Sequence, residues 1–339
     1  METSRREFLG NAARGAAFSA LAANAMAQQP GRGIPTRMLG RTGEQVSIIG
    51  IGGGHVGAMA SKDEPACIRL MHAAIDEGIT FFDNAWTYSD GYAEEVMGKA
   101  LKGSKREKVF LMTKCSGRDE KFARQCLEDS LRRLQTDRLD LYQFHECNYD
   151  NDADWIFERG GLKVLLEAQK AGKIRHIGFT GHKDPRIHAS VLNKPYEWVS
   201  SQMPINPMDH FYRSFEKEIV PLCLAKNVAV IGMKCLGGGG GEGAVIPSHS
   251  KLTAEQCVRY ALSLPIATLV RGYLSMEEMR HDIRIARDFR PLTDPQRREI
   301  LALAEPDGGD GRYEMFKTTQ RFDNILYRKM HNFPEIPRA

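Results

Sequence analysis

Eight short apolar runs, each separated from the next by a stretch of helical spacing, constrain this chain more than any other feature. They are VSIIGIG (46–52), TFFDNA (80–85), VFLMTK (109–114), LDLYQFH (139–145), HIGFTG (176–181), WVSSQMP (198–204), VAVIGMK (228–234) and ATLVRG (267–272). Apolar residues fill consecutive positions in most of them, as in strands hidden on both faces. Between the runs, Ile68, Met71 and Ile75 place an apolar stripe on one helix, and Leu127, Leu131 and Leu134 place one on another. Gly78 and Gly172 each stop a helix just before the next strand.

Doubly buried strands separated by helices belong to a parallel sheet, because a parallel crossover needs a long connection. Eight such units in about 250 residues match the (β/α)8 barrel in count and size. An open doubly wound sheet is the competitor, but "GIGGGHVG" (50–57) lacks the G-x-G-x-x-G continuation of a dinucleotide fingerprint. The sequence therefore predicts one α/β domain, a (β/α)8 barrel over residues 35–305, with a C-terminal extension over 306–339. A chain of 339 residues that is 42% hydrophobic and 27% charged can bury one large core. Its formal charge of +4 is scattered and leaves no nucleic-acid footprint. Seven cysteines without a CxxC spacing point to neither a zinc site nor a disulfide framework, so no metal is expected.

The first 27 residues follow a different logic. Ser4, Arg5-Arg6, Phe8-Leu9, an Ala-rich stretch and the small-residue site Ala25-Met26-Ala27 occur in order, which resembles a cleavable twin-arginine signal peptide. The apolar stretch is too short, and too interrupted by Arg14, to make a stable membrane span. Its removal leaves a mature chain of charge +3. The implied partner is the twin-arginine translocation machinery, and the implied location is periplasmic or otherwise exported.

In this fold, polar residues at the C-terminal ends of strands read as chemistry. The second run ends in Asp83, with Tyr88 in the loop beyond it; the third ends in Lys114 and the fourth in His145. A phenol with a pKa of about 10 is a reluctant acid at neutral pH, and a neighbouring ammonium would ease its ionisation. Asp83 would keep Lys114 charged and fixed. His145 would hydrogen-bond a substrate oxygen while Tyr88 protonates it.

At this point the chain resembles an aldo-keto reductase. D-x-A-x-x-Y at 83–88, Lys114 in "LMTKC" and His145 in "LYQFHE" match that family's Asp, Tyr, Lys and His in order and spacing, and the likeness runs over about residues 35–290. It implies an NAD(P)-dependent oxidoreductase that moves a hydride between nicotinamide and a small carbonyl, alcohol or sugar-like compound, with Tyr88 as proton donor. By alignment, Gly52, Gly53, Thr180, Ser201 and Gln202 border the nicotinamide; Met233, Lys234, Leu236, Gly237, Gly272 and Asp282 complete the cofactor set. The "LGGGGGEG" loop (236–243) is either a cover for the pyrophosphate or a plain linker.

Four positions depart from the family pattern. Met233 stands where many relatives stack an aromatic ring, Thr180-Gly181 replaces a Ser-Asn pair, and Glu278 falls where an Arg often meets the 2′-phosphate. The resemblance still favours NADP(H) slightly over NAD(H), with Arg271 and Arg280 near in sequence. Trp86 and Trp155 are candidate pocket aromatics, and Arg312, Lys317 and Arg321 suit either an anionic substrate or a solvated face. A second functional class stays open, a cofactor-holding binding or regulatory barrel without turnover, as in the potassium-channel β-subunits of this family.

If the twin arginines direct export of the folded chain, replacing Arg5 and Arg6 with Lys should leave the protein in the cytoplasm with its leader uncut. Fractionation and intact-mass measurement check this; a processed, exported double variant would sink it.

Overall fold

The computed structural model describes residues 33–238, 243–320 and 322–334, so the export signal read at 1–27 lies outside the described residues. The chain opens with a small antiparallel hairpin, β1 (Thr36–Met38) and β2 (Gln45–Ser47). Eight parallel strands follow: β3 (Ile49–Gly52), β4 (Phe81–Asp83), β5 (Phe110–Cys115), β6 (Leu139–Phe144), β7 (Ile174–Thr180), β8 (Ser200–Pro204), β9 (Ala229–Met233) and β10 (Thr268–Arg271). Each pairs with the next, and β10 pairs with β3 to close a barrel. This is the single-domain (β/α)8 barrel expected from the repeat.

All eight runs become barrel strands, but the first divides. Its residues 46–47 belong to the hairpin strand Gln45–Ser47, and the barrel strand begins only at Ile49. The hairpin contributes Leu39 and Val46 to the interior cluster of Phe81, Phe110, Met112, Leu141, Ala229, Ile231 and Ala267, so it plugs one end of the barrel. Around the barrel, the helix Val56–Asp76 buries Met71 and Ile75, and Glu120–Leu134 buries Leu127, Leu131 and Leu134. Gly78 and Gly172 lie just past helix ends at φ +99° and +76°, a left-handed turn that glycine enters without cost. All seven cysteines are free and buried. No helix among the described residues is long and apolar enough to cross a membrane.

Beyond the helix Asp294–Gly308, the chain crosses back over the C-terminal ends of the strands. Tyr327 Oη meets Ser116 Oγ just past β5 at 2.8 Å, Tyr149 Oη donates to Asp323 from beyond β6, and Lys183 Nζ reaches Asp323 Oδ1 from beyond β7 at 2.6 Å. The strap is anchored beyond β8. There Lys317 Nζ, fully buried, donates to Asp209 Oδ1 (2.6 Å), Glu314 Oε2 (2.8 Å) and the Tyr212 carbonyl (2.9 Å). Asn206 Nδ2 adds a bond to Glu314 Oε1, and Asp209 in turn accepts the Phe215 and Glu216 amides at the start of the next helix. Lys317 is therefore neither a substrate anchor nor a solvated charge. Arg312 is exposed on Asp310, and position 321 lies outside the described residues.

Burial pushes the Glu314 carboxyl up to about 7, against the lowering effect of Lys317. Lys317→Met would leave two buried carboxylates without their cation, and it should lower unfolding free energy by about 3–5 kcal/mol above pH 7. Since a proton on Glu314 removes part of that charge, the deficit should shrink as pH falls below 7. Urea titrations at pH 8 and pH 5.5 measure both; equal deficits would show that the cluster's charge is not what anchors the strap.

Candidate active site

Successive residues of a strand face opposite sides of the barrel wall, and at the C-terminal end of the strands the inward set turns polar. Asp83 ends β4, Lys114 lies in β5, Gln202 lies in β8 and His145 directly follows β6. Tyr88 opens the tight turn Tyr88–Gly91 beyond β4. Lys114 Nζ donates to Asp83 Oδ1 (2.8 Å), to the Asn84 carbonyl (2.7 Å) and to Tyr88 Oη (3.3 Å). On the other oxygen of Asp83, Gln202 Nε2 donates at 2.9 Å. The rings of Tyr88 and His145 meet edge-on at 5.5 Å. Five groups drawn from four strands and the loops that follow them thus surround one point.

Burial sets their protonation. It pulls the Lys114 ammonium below its usual range, opposed by Asp83, and Lys114 is 1% exposed. His145 is pulled well below its usual value by burial and by Lys114, so the imidazole is neutral. Thr87 Oγ1 lies 3.3 Å from Nδ1; with that hydroxyl donating, Nε2 carries the ring proton. Tyr88 behaves differently from the sequence expectation. Its phenol is pushed well above the ordinary value by burial and by the Asp83 and Glu146 carboxylates, so it holds its proton firmly at rest.

A second buried pair fixes the backbone behind His145. Arg118 Nε pairs with Asp152 Oδ1 at 2.8 Å, both side chains fully buried, while Nη2 donates to the carbonyls of His145 (2.7 Å) and Glu146 (3.2 Å). Glu146 sits at φ +49°, left-handed for a non-glycine residue, and two bonds from one guanidinium over-determine that conformation. Neither Arg118 in "SGRD" nor Glu146 carries a motif that reading the sequence would single out; each matters through the backbone it holds or the turn it makes.

The cofactor residues inferred by alignment divide by the direction they face. Gly52 ends β3 in register with Asp83. A Cβ on Gly53 would lie 2.7 Å from the Asp83 carbonyl oxygen and from Asn84 Oδ1, so that glycine lets the first loop lie against the Asp83 turn. Thr180 is buried at the end of β7, and its carbonyl accepts the Cys147 amide at 2.7 Å. Ser201 and Gln202 are strand neighbours and point oppositely. Ser201 Oγ meets His188 Nδ1 at 3.0 Å in the helical layer, whereas Gln202 faces inward and its Oε1 is buried without a partner.

Met233 is half-buried against the barrel interior, and Lys234, at φ +55°, holds its ammonium 5.0 Å from the Phe316 ring centre. Leu236 is buried and accepts the Ile246 amide; Gly237, at φ +68°, donates to the Lys234 carbonyl. Residues 239–242 of the glycine loop lie outside the described residues. His55 packs so closely on Gly272 that a Cβ there would be 1.9 Å from Nδ1. Asp282 is buried and receives Arg271 Nε at 2.6 Å, while Glu278 and Arg280 are exposed. Trp86 packs edge-on against Phe122 and under Arg133, and Trp155 lies between Arg159 and His331.

Comparison with known proteins agrees with this geometry. The sequence profile of the aldo/keto reductase family matches residues 48–280. "Probable aldo-keto reductase 1" of Glycine max is 32% identical over 237 residues, which span 64% of this chain and 65% of the soybean protein. Among solved structures, the holo form of aldo-keto reductase AKR11C1 from Bacillus halodurans superposes with a TM-score of 0.66 at 27% identity, over 80% of this chain and 96% of that one. An aldo/keto reductase from Klebsiella pneumoniae in complex with NADP and acetate shares the fold, with a TM-score of 0.63 at 23% identity over 78% and 94% of the two chains. With the barrel, the clustered Asp, Tyr, Lys and His and a profile match across most of its length, this chain belongs to the aldo/keto reductase family.

Proposed function

We propose that the protein is an exported oxidoreductase that interconverts a small carbonyl compound and its alcohol with a nicotinamide cofactor. The observation that carries this reading is the contact of Lys114 Nζ with both Asp83 and Tyr88 beside a neutral His145. When bound, the nicotinamide supplies or accepts the hydride at the carbonyl carbon. Gln202 Oε1, buried and unpartnered, suits the carboxamide N–H of such a ring.

The protein's own residues handle the oxygen. His145 Nε2–H donates to the carbonyl oxygen and orients it. As negative charge develops there, Tyr88 Oη gives up its proton, a C–H and an O–H bond replace the carbonyl π bond, and Lys114 at 3.3 Å stabilises the phenolate left behind. The high resting affinity of Tyr88 for its proton fits a donor that releases it only when that charge appears. In the oxidative direction the same proton returns.

Tyr88→Phe keeps the ring and removes only the hydroxyl. Turnover of an accepted aldehyde or ketone should fall by at least ~100-fold while cofactor titration is unchanged. A variant as fast as the parent would remove Tyr88 from the chemistry and favour a cofactor-holding role without turnover.

We further infer that NADP(H) is taken ahead of NAD(H), with Glu278 opposing a 2′-phosphate. Glu278 is exposed and receives the Leu274 amide at 2.9 Å. Glu278→Arg should then raise NADPH affinity relative to NADH, by a factor that fades at high salt. An unchanged ratio in fluorescence titrations would mean that the side chain does not face the adenosine ribose.

A further inference from the structure

The loop that delivers Tyr88 is held from outside itself. Between β4 and the helix Tyr92–Ala100, the Trp86 amide donates to the Lys114 carbonyl (3.3 Å) and the Tyr88 amide to the Ala85 carbonyl (3.1 Å). Ser89, Asp90 and Gly91 then turn left-handed in succession, at φ +50°, +54° and +95°, and the first two are exposed. Non-glycine residues stay in that conformation only where the surroundings over-determine it. The helix Glu120–Leu134 supplies the constraint. Its Asp129 accepts Trp86 Nε1 at 3.2 Å; one turn further on, Arg133 Nη1 donates to the Trp86 carbonyl at 3.1 Å, with the guanidinium 5.2 Å from the Trp86 ring centre. The same guanidinium fills the space beside Gly91, where a Cβ would collide with Arg133 Cζ. Arg133 therefore touches the chain on both sides of Tyr88. Fully buried Glu94 fixes it from behind: Oε2 receives Arg133 Nη1 at 3.3 Å, and Oε1 receives Oγ1 of Thr113, the residue before Lys114, at 2.6 Å. An ion pair that merely packed two helices together would need neither the Trp86 carbonyl nor the notch at Gly91.

We propose that Arg133 is a positioning residue for proton transfer, holding Tyr88 Oη within reach of Lys114 through the Trp86 peptide and the turn beyond it. This rests on the oxidoreductase reading and deepens it. The Lys114–Tyr88 contact of 3.3 Å is long for a hydrogen bond, so a small shift of the loop is enough to break it. A displacement of about 1 Å at a reacting group costs up to ~100-fold in rate. The loss should fall on kcat and leave cofactor affinity alone.

The test is a double-mutant cycle with Tyr88→Phe. Arg133→Met should lower kcat for an accepted aldehyde by ~10-fold or more while the Kd for NADPH stays within ~2-fold. On the Tyr88→Phe background the same change should cost no more than ~2-fold, because the hydroxyl it positions is gone. Arg133→Lys keeps a cation beside Glu94 and so protects the fold; its defect of ~3-fold or more should vanish on that background as well. A second measurement does not depend on turnover: NMR of the chain labelled with [13Cζ]tyrosine, with NADP added and the Tyr88 signal assigned by its loss in Tyr88→Phe. Both Arg133 variants should shift or split that signal and leave in place the signal of Tyr260, which bonds Glu216 across the barrel. If the variants slow both backgrounds equally, or if the Tyr88 signal does not move, Arg133 is a packing residue and this inference falls while the oxidoreductase reading stands. If Tyr88→Phe is as fast as the parent, the oxidoreductase reading falls, and the Tyr88 signal still decides whether Arg133 holds the phenol.

Discussion

An ammonium that is 1% exposed inside a barrel of parallel strands needs partners or it sheds its proton, and Lys114 is such a group. Its three contacts come from Asp83, from the Asn84 carbonyl and from Tyr88 Oη, so satisfying one cation fixes how β4 leaves the barrel and where its loop turns. Asp83 then has a second oxygen to satisfy, and Gln202 from β8, several strands around the barrel, does so. Removing water from two such charges costs several kcal/mol per ion before pairing returns it. The expense makes sense where the cation must sit close to a phenol and to little else.

The strap over the mouth depends on the same principle at a second place. The C-terminal segment buries Phe316 and Tyr327 completely, and a buried charge cluster fixes where it lies. Lys317 holds it through Asp209 and Glu314, and Asp209 also caps the helix Phe215–Ala225, so the anchor and the barrel wall share a residue. The Arg118–Asp152 pair stands between the two systems. It supports the turn carrying His145, and His331 of the strap approaches Asp152 Oδ1 at 3.4 Å. Loss of strap order would be felt at the imidazole through that chain of contacts.

The fold was legible because a barrel strand buried on both faces leaves a nearly continuous apolar run, and helices between such runs admit few topologies. The hairpin escaped notice because Gln45–Ser47 runs without a break into Ile49, and only the pairing with Thr36–Met38 separates them. In the site, Asp83, Tyr88, Lys114 and His145 stood out as polar residues closing apolar runs or following them, a local signal. Arg118, Glu146 and Asn206 gave none, because their roles come from backbone groups and carboxylates distant in sequence. Ser201 illustrates the converse. Alignment grouped it with Gln202, but the two-residue period of a strand sends neighbours to opposite faces, and Ser201 meets His188 outside the barrel.

Backbone strain follows the same division between scaffold and mouth. Gln135 and Asn227 adopt left-handed conformations at helix C-termini, where such a residue is an ordinary cap. Ser89, Asp90, Glu146 and Lys234 do so in the loops after β4, β6 and β9, each at a cost on the order of 1–3 kcal/mol. Glycine would relieve that cost, and the chain uses glycine freely nearby, as at Gly237 and Gly238. Side chains have been kept at Glu146 and Lys234 although the backbone would be better served without them. Glu146 carries an unpartnered oxygen, and the Lys234 ammonium acts electrostatically on both His145 and Glu146. At Glu146 and Lys234 the strained residue therefore carries charge close to the imidazole, whereas Ser89 and Asp90 are exposed, and the barrel's hydrophobic interior offsets what these turns cost.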